Sequence, residues 1–235
     1  MWNGKKVSVI FPCYNEGINV KRAIEDFLSV KYIDEIVVVD NNSKDDSSEE
    51  IRKTEAVYVL ETKQGYGNAL MRGMMEATGD IIITAEPDNS FIGKDVIKLL
   101  LYSDDFDVVF GTRTSKALIG PGAKMNLFNR WGNIAVAKLL EYLHGGPCLT
   151  DVGCTMKLIK RESYNWIKNK LSVGGNWFSP EFMVICVRSK LRCVEIPVNY
   201  RERIGDSTIT TDFFKTFKLG MRMIFMIIAY RFRRI

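Results

Sequence analysis

Residues 6–40, "KVSVIFPCYNEGINVKRAIEDFLSVKYIDEIVVVD", contain two short apolar runs separated by a segment with helical spacing. The runs "KVSVIFP" and "DEIVVVD" are predicted to be buried strands, because each is short, continuous and rich in β-branched residues. Between them, "NVKRAIEDFLSV" places apolar residues three and four positions apart, as an amphipathic helix does. A strand, a helix and a strand in this order predict two parallel strands joined by a crossover helix.

The same alternation continues along the next part of the chain. The sequence predicts a short helix in "DDSSEEIRKT", a strand in "AVYVL", a helix in "NALMRGMMEAT" and a fourth strand in "DIIIT". Alternating strands and helices predict an α/β fold with a mostly parallel sheet flanked by helices. The 235 residues, 46% of them hydrophobic and 26% charged, suffice for one large domain with a sizeable core.

Cysteine and histidine usage excludes some classes of protein. The five cysteines are odd in number and contain no C-x-x-C pair, and His144 is the single histidine, which argues against a zinc site. The N-terminal segment lacks an apolar region long enough for a signal peptide, so we expect reduced thiols and an intracellular protein. The net charge of +5 is modest, and the basic residues concentrated after Asp212 indicate an anionic partner for the tail. We expect no nucleic-acid partner.

Polar residues follow the predicted strands at the positions where a ligand site is expected. Ligands of parallel sheets bind beyond the carboxyl ends of the strands. The loop "KQGYGNA" adds two glycines after the third strand, where backbone can approach a ligand closely, although such a loop is also typical of a simple turn. The candidate residues at this edge are Tyr14, Glu16, Asp40, Asn42, Gly65, Gly67, Glu86 and Asp88.

Glu86 and Asp88 are two carboxylates separated by one proline in "TAEPDNS", residues 84–90. A solvated turn is the alternative interpretation, since proline and acidic residues are common in turns. Clustered acids in a cleft favour chemistry, however, and two oxygen ligands at this spacing can reach one hard divalent cation. Such a cation would also neutralise a diphosphate leaving group.

Several motifs together resemble glycosyltransferase family 2, whose members are inverting enzymes with the Rossmann-like GT-A fold. The matching segments are "VSVIFPCYNE", "VVDNNSKDDS", "GYGNALMRGMMEATGDIIITAEPD", "VVFGTR" and "DVGCTMKLIKRE". They occur in the family's order and spacing, and the resemblance spans about residues 6 to 210. Within the family the chain most resembles the polyprenyl-phosphate sugar synthases, such as dolichyl-phosphate mannose or glucose synthase.

The resemblance implies a donor site at the sheet edge. It implies that Glu86 and Asp88 bind Mg or Mn together with the nucleotide diphosphate. Two residues depart from the family pattern: Glu86 replaces the usual first metal aspartate, and Asn41 stands where a second aspartate is usual. The residues implied to contact the nucleotide sugar are Pro12, Tyr14, Glu16, Asp40, Asn42, Gly65, Gly67, Arg203 and Ser207. The last two belong to "RIGDS", which resembles a mobile segment that covers the donor diphosphate.

The resemblance also implies an acceptor site. Arg113 in "FGTR" and Arg130 in "LFNRWGN" resemble arginines that receive the acceptor's phosphate, which a guanidinium binds through two parallel hydrogen bonds. Asp151 in "TDVGC" matches an acid at the reaction centre. Its role stays open, because an acceptor hydroxyl needs a general base whereas an ionised phosphate does not.

These residues predict an inverting transferase that moves a sugar, mannose or glucose, from GDP-mannose or a UDP-sugar to polyprenyl phosphate. One alternative is transfer to a sugar hydroxyl in polysaccharide or glycolipid synthesis, with Asp151 as general base. A second is a nucleotidyltransferase that makes the sugar nucleotide, although "FPCYNEG" lacks the basic, glycine-rich loop expected there. A third is a binding module without catalytic activity.

Residues 212–235 are predicted to form a basic amphipathic helical tail beyond a catalytic domain of residues 1–211. The apolar stretch "MIFMIIAY" is eight residues long, too short for a bilayer span. A helix with basic residues opposite an apolar face suits the anionic cytoplasmic face of a membrane, where we expect a peripheral location. The alternative is that this face packs on the protein's own core. The expected apolar face is Phe214, Phe217, Met221, Ile224, Phe225 and Ile228.

Overall fold

The computed structural model describes residues 1–123, 127–205 and 213–233, without the side chains of Leu127, Phe213 and Lys215. The strands are β1 (Val7–Cys13), β2 (Glu35–Asp40), β3 (Val57–Leu60), β4 (Ile81–Thr84), β5 (Val108–Thr112), β6 (Lys157–Lys160) and β7 (Cys193–Pro197). The α-helices are α1 (Gly17–Leu28), α2 (Ser47–Arg52), α3 (Tyr66–Glu76), α4 (Asp95–Tyr102), α5 (Leu127–His144), α6 (Arg161–Ile167), α7 (Phe178–Arg188) and α8 (Phe213–Phe232).

The described strands form one seven-stranded sheet in the order β3-β2-β1-β4-β6-β5-β7. β1 pairs in parallel with β2 and β4, β2 with β3, and β5 with β7, which confirms the predicted α/β fold with a mostly parallel sheet. β6 is antiparallel to both β4 and β5 and was not expected. The carboxyl ends of β1, β2 and β4 lie at one edge, where the predicted site residues follow.

Two apolar layers cover the sheet, one on each face. Successive residues of β1 point to opposite faces, so Val9 and Phe11 enter one layer and Ile10 enters the other. The first layer contains buried residues of α1, α2 and α4, and the second contains buried residues of α3, α5, α7 and α8. Burial on both faces explains why the parallel strands are continuous apolar runs.

The C-terminal helix α8 belongs to the second layer. It packs along α5 and α7 and buries Met223, Ile227 and Tyr230, which lie three or four residues apart on one face. The Tyr230 hydroxyl donates to the carboxylate of the buried Glu181. The His144 ring, at the end of α5, contacts the Ile227 carbonyl oxygen through Nε2 at 2.9 Å.

The expectation of a single apolar face on this helix is wrong. The buried face was overlooked, whereas Phe214, Phe217, Phe225 and Ile228 of the expected face are exposed. α8 therefore has two apolar faces, because apolar residues surround most of its circumference. The proposed division between residues 211 and 212 lies outside the described residues. Among the helices that the structure describes, none is long and apolar enough to cross a bilayer.

Adjacent isoleucines on α8 provide a matched test of this packing. We expect Ile227→Ala to lower the free energy of unfolding by about 2–5 kcal/mol, because it removes fully buried methyl groups and leaves a cavity. Ile228→Ala, at a 40% exposed position one residue further on, should cost less than about 1 kcal/mol. Urea unfolding of both variants measures the difference. Equal losses would show that α8 does not pack on the domain as described.

Candidate functional site

The turns that follow β1, β2 and β4 form the rim of the site. Each contains an asparagine with a left-handed backbone, at φ values of 55° for Asn15, 63° for Asn42 and 70° for Asn89. Asparagine adopts this conformation more readily than most residues. The first two turns are tied together, since Ser43 Oγ accepts from the Asn15 backbone N–H and Asn15 Oδ1 accepts from the Lys44 backbone N–H. Hydrogen bonds between turns thus give the rim a defined shape.

Three carboxylates and one arginine meet at this rim. Arg203 donates to the Glu16 carboxylate, and its Nη1 lies 3.3 Å from Asp88 Oδ2. Asp88 is buried and its Oδ1 accepts from the backbone N–H of Ser90 at 3.0 Å. Burial raises the pKa of Glu16, although the Asn19 hydrogen bond and the Arg203 charge oppose the rise. The structure therefore brings Glu16, Glu86 and Asp88, three of the residues expected at one rim, together with Arg203.

Glu86 has the most perturbed carboxylate of the cluster. Burial, followed by the charge of Asp88, raises the pKa of Glu86 to about 7, although Thr155, Arg113 and Arg203 lower it. The positive charge of Arg203 is therefore too small to balance the negative charge of the three carboxylates. Oxygen donors of this kind suit a hard divalent cation, so the residues present fit Mg or Mn. In the described parts of the chain no three His, Cys, Asp or Glu side chains form a metal site, so Glu86 and Asp88 would hold the ion together with diphosphate and water oxygens.

The predicted nucleotide contacts lie at the same edge of the sheet. Asp40 is buried at the end of β2, where its Oδ1 accepts from the Ser43 backbone N–H at 2.9 Å and its Oδ2 from the Tyr58 hydroxyl at 3.2 Å. Pro12 is half-buried, and Tyr14 and Asn42 are exposed. Contact of these residues with a nucleotide remains a prediction. Ser207 lies outside the described residues. Arg203, in the same segment, contacts Glu16 and Asp88.

Asn41 explains one departure from the family pattern. Its side-chain amide donates to the carbonyl oxygens of Glu61 and Lys63, both at 2.9 Å, and its Oδ1 accepts from the Gly65 backbone N–H at 2.7 Å. An aspartate at this position could not donate and would place a negative charge against two carbonyl oxygens. Asn41 therefore fixes the loop between β3 and α3.

Gly65 and Gly67 allow two segments of the chain to approach each other. Gly65 has a φ of 141°, and a Cβ there would lie 2.3 Å from the Gly174 carbonyl oxygen. A Cβ on Gly67 would lie 2.1 Å from the Val173 carbonyl oxygen. The close approach that the glycine loop permits is thus with residues 173–174. Contact of this loop with a donor remains a prediction.

Asp151 is fully buried and paired with Arg113. Arg113 Nε and Nη2 donate to the two carboxylate oxygens at 2.9 and 3.0 Å, and the backbone N–H groups of Arg113 and Gly153 donate at 3.1 and 2.9 Å. Burial alone would raise the pKa of Asp151, but the charge and hydrogen bonds of Arg113 outweigh it and lower the pKa. The Glu195 carboxylate holds the same loop by accepting from the backbone N–H groups of Thr150 and Asp151.

This pairing bears on the role of Asp151, which the sequence left open. Each of its two oxygens already accepts two hydrogen bonds. A lowered pKa also makes the carboxylate a poor proton acceptor. The geometry is that of a buried ion pair that fixes Arg113. The alternative in which Asp151 serves as general base is therefore not supported by its contacts.

Arg130 approaches the same place from α5. Its Nε donates to the carbonyl oxygen of Thr114 at 3.0 Å, one residue beyond Arg113. Arg113 is also close enough to Glu86 to lower its pKa. The two predicted acceptor arginines thus meet at residues 113–114, and Arg113 lies near Glu86 of the carboxylate cluster.

Other residues around the site were missed by the sequence analysis. Thr155 donates to Glu86 and contacts Tyr66, and the buried Lys157 donates to the Cys154 carbonyl oxygen and to Ser179 Oγ at 2.7 Å. Lys157 lies in "DVGCTMKLIKRE", but nothing in that pattern shows what its ammonium contacts. Thr155 and Tyr66 are 89 residues apart, so only the folded chain reveals their contact.

Comparison with known proteins identifies the family. The sequence profile of "Glycosyl transferase family 2" matches residues 8–167, more than half of the chain. The chain belongs to glycosyltransferase family 2. The family resemblance that the sequence motifs indicated is therefore confirmed. Membership of this family favours glycosyl transfer over the nucleotidyltransferase alternative.

Relatives within this family include two proteins of Haloferax volcanii. The chain is 28% identical over 205 residues to a dolichyl-phosphate hexose transferase, with 86% of each chain covered. It is also 28% identical to a low-salt glycan biosynthesis hexosyltransferase, but spans only 49% of that longer protein.

Solved structures confirm the GT-A fold. Glucosyl-3-phosphoglycerate synthase from Mycobacterium tuberculosis, in complex with Mn²⁺, UDP and glucosyl-3-phosphoglycerate, superposes with a TM-score of 0.68. The alignment covers 97% of this chain and 80% of that one at 17% identity. The same enzyme with Mg²⁺ and UDP gives a TM-score of 0.69 at 19% identity, covering 97% and 79%.

Proposed function

We propose that this glycosyltransferase moves a hexose from a nucleotide diphosphate sugar to polyprenyl phosphate, with inversion. The pairing of Asp151 with Arg113 carries the proposal. A hydroxyl acceptor needs a general base, and the acid expected to act as one is already fully hydrogen-bonded. A phosphate acceptor arrives ionised and needs no base. The dolichyl-phosphate hexose transferase among the relatives supports the same acceptor.

The acceptor side of the proposed site consists of Arg113 and Arg130. Asp151 fixes the Arg113 guanidinium through Nε and Nη2, and Arg130 is held through Nε by the Thr114 carbonyl oxygen. Guanidinium groups held in this way lose little further side-chain entropy on binding a phosphate. The positive charge of the two guanidinium groups would also offset the negative charge of the acceptor phosphate near the carboxylate cluster.

The donor side is the cluster of Glu16, Glu86 and Asp88 with Arg203. We assign Mg²⁺ or Mn²⁺ to Glu86 and Asp88, where a bound cation would offset the negative charge of the diphosphate. Arg203 forms ion pairs with Glu16 and Asp88, and this position beside the cluster supports a role in binding the diphosphate oxygens. We propose a hexose such as mannose or glucose, carried by GDP or UDP.

The proposed reaction is a single displacement. An ionised oxygen of the acceptor phosphate attacks the anomeric carbon on the face opposite the diphosphate. The new bond between carbon and oxygen forms as the bond to the diphosphate breaks, and the nucleoside diphosphate leaves with the electron pair. No proton moves in this step, consistent with Asp151 remaining paired with Arg113.

A transfer assay tests this function. We expect radiolabel from GDP-mannose or UDP-glucose to enter the organic phase with polyprenyl monophosphate and Mn²⁺, but not with the corresponding free alcohol. Excess chelator should abolish the transfer, and Asp88→Asn should lose nearly all of it because an amide lacks the charge that offsets the ion. The measurement is scintillation counting of the organic extract.

The free alcohol is the matched control for the acceptor. Label that enters the organic phase equally with polyprenol would contradict the proposed phosphate acceptor. Full turnover in excess chelator would contradict the metal assignment. Label that appears only on a soluble saccharide would favour the hydroxyl-acceptor alternative.

We also propose that the protein binds the cytoplasmic face of a membrane through α8. This helix contains four basic residues and no acidic residue. Its buried face packs on α5 and α7, while Phe225, Ile228 and Phe232 remain exposed on the surface. Trp131 and Tyr142 of the neighbouring α5 are exposed as well. Exposed aromatic residues among cations suit an anionic lipid interface, where the phosphate of a polyprenyl acceptor lies.

Paired substitutions test the membrane surface without disturbing the core. We expect Phe225→Ser with Phe232→Ser to lower binding to anionic vesicles about tenfold or more, because two exposed rings no longer enter the interface. Removal of the whole helix would be uninformative, since it also removes the buried Ile227. Co-sedimentation with anionic and with neutral vesicles measures binding.

The matched control is Leu101→Ser with Trp166→Ser, which removes two comparably exposed apolar side chains from α4 and α6. This pair should sediment like the wild-type protein. Equal losses for the two pairs, or no binding of the wild-type protein to anionic vesicles, would contradict the proposed surface.

A further inference from the structure

A chain of hydrogen bonds extends from Glu86 into the protein. Thr155 Oγ1 lies 2.6 Å from Glu86 Oε1 and 2.5 Å from the Tyr66 hydroxyl oxygen. A threonine hydroxyl has a single proton, so when Thr155 donates to an ionised Glu86, Tyr66 must donate to Thr155. Burial raises the pKa of Tyr66 well above its usual value, which keeps its proton in place. Tyr66 therefore donates to Thr155, and Thr155 donates to Glu86.

The surrounding structure holds both hydroxyls in place. The carbonyl oxygen of Thr155 accepts from Thr84 Oγ1 at 2.5 Å, and Thr84 ends β4 two residues before Glu86. Tyr66 is the first residue of α3 and packs against the second apolar layer. Thr155 is itself buried. Thr155 is thus tied to β4 from the segment before β6, and Tyr66 is held at the start of α3.

The anchored oxygen restricts a flexible side chain. A glutamate has one more rotatable bond than an aspartate, and holding it in one conformation costs side-chain entropy. Thr155 holds Oε1 of Glu86, while the described residues give Oε2 no hydrogen bond. One oxygen is thus fixed on the protein and the other is left for a ligand at the rim.

We propose that Thr155, supported by Tyr66, is a positioning residue that orients Glu86 toward the divalent cation. This inference rests on the proposed function only in assigning the cation to Glu86 and Asp88. Thr155 orients the ligand that would touch the ion. Partners of this kind commonly change metal affinity when they are removed.

Direct titration with Mn²⁺ alone, followed by electron paramagnetic resonance of the free ion, tests the proposal on the full chain. We expect Thr155→Val to bind Mn²⁺ about tenfold more weakly than the wild-type protein, because valine keeps the shape but lacks the hydroxyl. Thr155→Ser keeps the hydroxyl and should stay close to the wild-type affinity. Tyr66→Phe should lie between the two, since Thr155 still donates but has lost its own donor.

A double-mutant cycle separates positioning from general damage. The shorter side chain of Glu86→Asp does not reach Thr155, so adding Thr155→Val to Glu86→Asp should change Mn²⁺ affinity by less than about twofold. Thr54→Val is the matched control, because Thr54 Oγ1 donates to the Ile51 carbonyl oxygen at the end of α2, away from the carboxylate cluster. It should bind Mn²⁺ like the wild-type protein.

The outcomes distinguish this inference from the function on which it rests. If the wild-type protein binds no Mn²⁺ either alone or with UDP or GDP present, the metal assignment and the positioning role fail together. If it binds Mn²⁺ but Thr155→Val binds equally well, or loses as much affinity in the Glu86→Asp background, only the positioning role fails. Should Thr155→Val not fold, a Tyr66→Phe variant with wild-type affinity would overturn the inference.

Discussion

The site depends on the buried ion pair between Arg113 and Asp151. The pair connects the end of β5 with the segment that leads into β6, and it lies where water cannot reach the carboxylate. A buried ion pair destabilises the fold unless further hydrogen bonds satisfy its carboxylate oxygens. Here the backbone N–H groups of Arg113 and Gly153 donate to the two carboxylate oxygens of Asp151. The same segment continues to Thr155, which contacts Glu86. One short stretch of chain thus joins the proposed acceptor side of the site to the proposed donor side.

The proposed donor side carries an excess of negative charge. Arg203 forms ion pairs with Glu16 and Asp88, and the charges of Arg113 and Arg203 both act on Glu86. Both glutamates have raised pKa values because they are buried beside other acids. Concentrating like charges in a cleft is unfavourable for the fold on its own, since each carboxylate loses solvation and repels the others. A cluster of this kind suits a protein that binds a cation with its substrate. Arg113, which we propose for the acceptor phosphate, lies close enough to lower the pKa of Glu86. The proposed site therefore combines a negative region for the cation with a positive region for the phosphate.

Much of this arrangement follows from local sequence, and some of it does not. The first four strands and their helices were predicted because apolar periodicity is a property of neighbouring residues, and the rim followed from the parallel order of β1, β2 and β4. The antiparallel β6 was missed, because its four residues show no pattern that distinguishes an antiparallel strand from a parallel one. Asp151 was located by its motif, but its partner lies 38 residues away and only folding brings the two together. The buried face of α8 was missed because apolar residues lie on both sides of that helix.

The most direct measurement is the free energy of unfolding of Asp151→Ala at pH 7. Arg113 lowers the pKa of Asp151 in the folded protein, so its contribution is fully present above the unfolded value of about 3.9 and is lost only as pH falls through the folded value. The account predicts a loss of about 3–5 kcal/mol, because the Arg113 charge stays buried without its partner. Adding Arg113→Met should recover part of that loss. An Asp151→Ala protein that keeps wild-type stability but no longer transfers sugar to polyprenyl phosphate would contradict the account, since Asp151 would then be a catalytic base.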